Sequence, residues 1–211
     1  MRLACGAVLG LAAALALGAQ PAAAATLGFG CITTTNPGDC AIGQAQLSVN
    51  VTDPGGGQVL FTFSNVGAAD SSIADVYFDD GSLLSIAIII NSVGVSFSQF
   101  ATPAEMPAAN LASPPFVTTA GFSADSDAPV QPNGVNPGET LGIRFTLQGG
   151  TTYSDVLGEL ANGTLRIGLH VQGYASGGSE SFVNGSLPEP ATFGFLGLGL
   201  GALSLARSRR S

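Results

Sequence analysis

Apolar residues fall at every second position in run after run of this chain, and a period of two admits little other than β-strand. Leu47, Val49 and Val51 alternate with Ser48, Asn50 and Thr52. After the Asp53-Pro54-Gly55-Gly56-Gly57 turn, Val59, Phe61 and Phe63 alternate with Gln58, Leu60, Thr62 and Ser64, which reads as a hairpin. Ala74, Val76 and Phe78 alternate with Asp75, Tyr77 and Asp79, up to a turn at Asp80-Gly81. Residues 83–90 form an apolar run expected to be a strand buried on both faces. Val93, Val95 and Phe97 continue the period. Leu141, Ile143, Phe145 and Leu147 make another run, and Leu165, Ile167, Leu169 and Val171 a further one.

Between these runs, residues 102–137 hold seven prolines and read as irregular, with short strands at Phe116-Val117 and Phe122. One patch has helical spacing: Tyr153, Val156, Leu157 and Leu160, with Ser154 as its expected cap and Asn162-Gly163 as its end. Short strands at regular spacing predict an all-β fold, an antiparallel β-sandwich with one short helix.

Charge narrows the range of partners. From 26 to 187 the chain carries 13 acids against Arg144 and Arg166, about −11, and it has no lysine anywhere. Such a surface repels polyanions, so no nucleic acid is expected as a partner. These 162 residues suffice for one domain with a true core.

The side chains available for chemistry are few. Cys31 and Cys40 enclose Asn36-Pro37-Gly38-Asp39, read as a turn, and predict a disulfide in an exported protein. The alternative is a metal or redox pair, but one histidine in the whole chain leaves a zinc site short of ligands, and there is no CxxC. His170, that single histidine, falls with Arg166 on the polar face of its strand, opposite Leu169 and Val171. No GxSxG elbow accompanies it, so it reads as structural. Carboxylates for glycoside hydrolysis would come from Asp75, Asp79, Asp80, Glu139 and Glu180, but the absence of tryptophan weighs against a sugar-cleaving cleft. Asp79-Asp80-Gly81 and Asp125-Ser126-Asp127 read as acidic loops, with calcium binding as the alternative. The expectation is no catalytic residue, no metal site and no cofactor.

Both ends carry signals. Arg2, an apolar stretch to Leu17 and the small residues 22–25 form a signal peptide, residues 1–25, with cleavage expected after Ala25. Cys5 lies too early for a lipidation site and is an ordinary residue of that peptide. At the other end, Pro188-Glu189-Pro190 breaks the chain. A 16-residue apolar stretch, 191–206, follows, and then Arg207, Arg209 and Arg210. As a helix that stretch spans roughly 24 Å, just short of a hydrocarbon core of ~30 Å. The arginines keep its C-terminal end in the cytoplasm. Its alternatives are a permanent membrane anchor and, less compatible with the arginines, a core helix.

This tail resembles the PEP-CTERM sorting signal of exported proteins of Gram-negative bacteria that make extracellular polysaccharide. The resemblance covers residues 188–211 and has all three parts in order. It implies that exosortase, a membrane protease-transpeptidase, recognises Pro188, Glu189 and Pro190 and removes the hydrophobic tail. Within the domain, residues 76–81 and 165–171 resemble segments that recur among proteins bearing this tail, and they imply no activity. The expected organisation is a signal peptide, a secreted domain over 26–187 and a sorting signal with a transmembrane helix over 191–206. The expected function is a non-enzymatic surface or extracellular-matrix protein in biofilm or envelope. It would cross the inner membrane, be held there transiently and end at the cell surface, with exosortase and extracellular polysaccharide as partners. The alternatives are a ligand- or carbohydrate-binding adhesive module, calcium-dependent in one version, and then a secreted hydrolase.

Overall fold

A computed structural model of the protein describes residues 24–81 and 83–185. The expected signal peptide up to residue 23 and the whole of the expected sorting tail, with Pro188, Glu189, Pro190, Arg207, Arg209 and Arg210, lie outside the described residues. Ten strands form: β1 (Ala25–Cys31), β2 (Leu47–Thr52), β3 (Gln58–Asn65), β4 (Ser72–Asp79), β5 (Leu83–Asn91), β6 (Phe97–Gln99), β7 (Ser123–Ser126), β8 (Thr140–Leu147), β9 (Arg166–Gln172) and β10 (Glu180–Asn184). Among the described residues three α-helices join them: α1 (Pro37–Gln46), the single turn α2 (Val130–Asn133) and α3 (Tyr153–Asn162).

All neighbouring strands pair antiparallel, in the order β5-β8-β3-β2-β1-β10-β9-β4-β7-β6. The hinge of this order is β1. Its first half pairs Ala25–Gly28 with β2, and its second half pairs Phe29–Cys31 with β10. One strand thus belongs to two sheets and turns the corner between them. The expected antiparallel β-sandwich forms in a nearly barrel-shaped version. Its two edge strands, β5 and β6, are drawn together by Asn91, whose side-chain oxygen accepts from Phe97 N–H at 3.1 Å.

Alternation along each strand builds the core. Phe61 and Phe63 of β3 and Phe145 of β8 face Phe78 of β4 in the opposite sheet. Phe78 meets Phe61 at 5.2 Å and Phe145 at 4.8 Å between ring centroids, both edge to face. Truncating a ring buried this deeply costs about 3–5 kcal/mol. Helix α3 closes one end with Tyr153, Val156 and Leu160, and the Tyr153 hydroxyl donates to Val51 O at 2.8 Å.

Five expectations need correction. Asn36-Pro37-Gly38-Asp39 does not turn back on itself: Asn36 caps α1 by accepting from Gly38 N–H, with Pro37 at the start of the helix. The cap of α3 is Thr152, in a reciprocal capping box with Asp155, and not Ser154; the helix does end at Gly163, at φ +78°. Strand β5 is not buried on both faces, because it is an edge strand with Ile88 and Ile90 exposed. Val93, 97 % exposed, lies in the turn between β5 and β6, and Phe116-Val117 forms no strand.

Candidate functional site

One row of residues crosses the outer face of the second sheet. Ser98 of β6 pairs with Asp125 of β7, Asp125 with Asp75 of β4, Asp75 with His170 of β9, and His170 with Ser181 of β10. Directly paired residues bring their side chains to the same face, so the register itself assembles this polar line. A bulge makes the assembly possible. Ile73 pairs with Val171 and Asp75 with His170, so β4 takes up one extra residue at Ala74. The bulge lets Ile73 stay in the core while Asp75 faces outward.

The Pro-rich stretch covers one end of this face. Met106, Ala112 and Phe116 pack on Tyr77 in a second, smaller core. A Cβ at Gly168 would overlap the Met106 sulfur, so glycine is what lets the cover lie on the sheet. Arg166 fastens it. Its guanidinium pairs with Asp79, donates to Pro114 O at 2.6 Å and Pro115 O at 2.7 Å, and stands 5.3 Å from the Phe116 ring centroid. The Tyr77 hydroxyl donates to Pro103 O at 3.1 Å.

Beyond the cover the row opens into a cleft of about 510 Å³, in the ~300–1,000 Å³ range usual for small-ligand sites. Asp75, Asp125, Asp127 and His170 line it, with Ser98, Phe100, Thr102 and Gln172. Asp75 is only 3 % exposed. One oxygen lies 2.9 Å from His170 Nδ1, and the other, Oδ1, has no partner. Asp125 is pushed up to about 6, first by desolvation and then by the charge of Asp75. Asp127 behaves in the opposite way. The Ser96 and Ser98 hydroxyls donate to it at 2.6 and 2.8 Å and hold its pKa below the usual carboxylate range.

The other candidates are spoken for. Asp79 is paired with Arg166 and also accepts from Val117 N–H. Asp80 accepts from Leu83 N–H at 2.6 Å, and Glu139 from Asn136. Glu180 accepts from the Thr33 hydroxyl and from Thr35 and Asn36 N–H, which orders the loop behind the disulfide. Of the five carboxylates proposed for sugar cleavage, only Asp75 reaches the cleft, and its neighbour there is Asp125. Nor is 125–127 an acidic loop: Asp125 lies within β7, and Asp127 follows its end.

Cys31 and Cys40 are bonded, with Cα atoms 5.5 Å apart. Among the described residues, the His, Cys, Asp and Glu ligand atoms that converge closely enough for a metal ion are those of Cys31, Cys40 and Glu180, and the disulfide consumes both sulfurs. The pairing of His170 with Asp75, and the contributions of Phe100, Thr102 and Gln172, were not evident from the strand patterns. Asp75 and His170 both stand out as outward positions, but nothing local says that their strands are neighbours.

Fold and site together describe an antiparallel β-sandwich with an acidic, open cleft on the outer face of one sheet. Comparison with protein-family models, curated proteins and solved structures finds no match for this chain. Among the described residues, no helix is long and apolar enough to cross a membrane.

Proposed function

We propose that the chain is an exported, exosortase-processed surface or extracellular-matrix protein whose domain acts without catalysis, in biofilm or envelope. The order of Pro188-Glu189-Pro190, apolar stretch and arginines supports the route. The observation that carries the non-catalytic reading is the bonding of His170. Among the described residues its imidazole hydrogen-bonds to Asp75, and no hydroxyl is bonded to its other nitrogen, where a serine-type mechanism needs the nucleophile. A disulfide, a capped helix and a fastened cover suit a rigid module that is displayed.

Two measurements test this. The mass of protein taken from its native cells is expected to lack both termini, and retention of 191–211 would replace processing with a permanent anchor. In a deletion strain, His170→Gln is expected to be secreted and to restore the surface phenotype. A folded, exported variant that fails to restore it would overturn the purely structural reading and point to a site at His170.

A further inference from the structure

We infer that the cleft at Asp75, Asp125 and His170 binds a neutral saccharide, with Phe100 as its stacking platform. This rests on the surface-protein reading only for where the ligand is met. The first observation is Phe100 itself. The residue is 65 % exposed beside the cleft, and its backbone holds φ at +76°, a conformation that bulky side chains rarely adopt. Such a geometry persists only where the surroundings impose it. Here Phe100 N–H donates to Ser123 O at 2.9 Å, Ala101 N–H to Ser123 Oγ at 2.9 Å, and Thr102 N–H to Asp125 Oδ2 at 3.2 Å. Three successive amides thus pin the ring beside the carboxylates. The second observation is Asp75, a buried residue of the cleft lining whose Oδ1 has no donor.

The chemistry of these groups selects the ligand class. Ionised carboxylates only accept, Gln172 donates and accepts, and an exposed aromatic face takes C–H groups. A sugar ring offers hydroxyls that donate and accept around its edge, and an apolar C–H face. Anionic sugars are excluded by charge, because the cleft is lined by three aspartates and by neither of the domain's arginines: Arg166 is committed to the cover and Arg144 lies on β8, in the other sheet.

The test is calorimetric titration of the full chain, in a detergent without a sugar headgroup, with maltohexaose, cellohexaose, xylohexaose and mannohexaose, and separately with spermidine and calcium chloride. At least one neutral oligosaccharide is expected to bind. Phe100→Ala is expected to weaken it about tenfold or more, and Phe100→Trp to retain it. Asp75→Asn is expected to weaken it by a smaller factor. Absence of binding by all four sugars, equal binding by Phe100→Ala, or binding of spermidine or calcium alone would each overturn the proposal. Those failures leave the export reading standing, because that reading depends on the mass of the native protein.

Discussion

Asp75 Oδ2 lies 2.9 Å from His170 Nδ1, and the two residues face each other because Ala74 is accommodated as a bulge in β4. Among the described residues, this is the hydrogen bond that ties the buried Asp75 carboxylate to its neighbouring strand. His170→Ala therefore removes the donor at Oδ2. The expected loss is about 1–3 kcal/mol, the usual cost of leaving a buried polar group unpaired. His170→Gln, whose amide still donates, is expected to lose under about 1 kcal/mol. Urea denaturation of both variants at pH 7 measures the difference, and equal losses would refute the bond as the cause.

Asp125 makes stability depend on pH with a definite sign. Its folded pKa, about 6, lies above its ordinary value of 3.8, so between these values the folded state holds more proton than the unfolded. Stability is expected to rise as pH falls from about 6 towards 4. The groups facing Asp125 are Asp75, Asp127 and His170, with Tyr77 and Glu105 near by. Asp127 and Asp155 have lowered values, and they act below this window. Thermal melts across pH 4–7 are expected to show the rise in the parent and a reduced rise in Asp125→Asn. An unchanged slope in the variant would assign the effect elsewhere.

Arg166 holds the Pro-rich cover by geometry as well as charge. Arg166→Ala is expected to cost about 2–3 kcal/mol and to open residues 101–119 to limited proteolysis. Arg166→Lys is expected to recover little, because a single ammonium nitrogen does not reproduce the two-nitrogen fork that reaches Pro114 O with one nitrogen and Asp79 and Pro115 O with the other. Protection of the segment in either variant would show that Tyr77 and the small core suffice to hold it.

The Cys31–Cys40 bridge closes a ten-residue loop and ties the end of β1 to α1. Replacing both cysteines by serine is expected to cost about 2.5–3 kcal/mol by loss of the chain-entropy restraint. Alkylation of exported protein without reductant is expected to leave both positions unlabelled. Prompt labelling of either would contradict the bond.

Local order was legible in the sequence because its causes are local. Alternation at 47–51, 58–64 and 141–147 places strands and core faces together, since one face must be apolar for the strand to be buried. The same logic put His170 on an outer face, made Tyr153, Val156 and Leu160 one side of a helix, and paired Cys31 with Cys40. Tertiary structure decided which strands stand side by side. Asp125, Asp75 and His170 come from three separate runs, and only the β7-β4-β9 neighbourhood puts them in a row. The bulge at Ala74 escapes any pattern, because Ile73 breaks the alternation of its own strand in order to fill the core. Strand β1 belongs to two sheets because its halves find different partners, and Gly168 matters because a cover distant in sequence lies on it. Side-chain period is set within a few residues, whereas strand order and cover packing are set by complementary faces across the whole domain. Those faces meet only when the chain closes on itself.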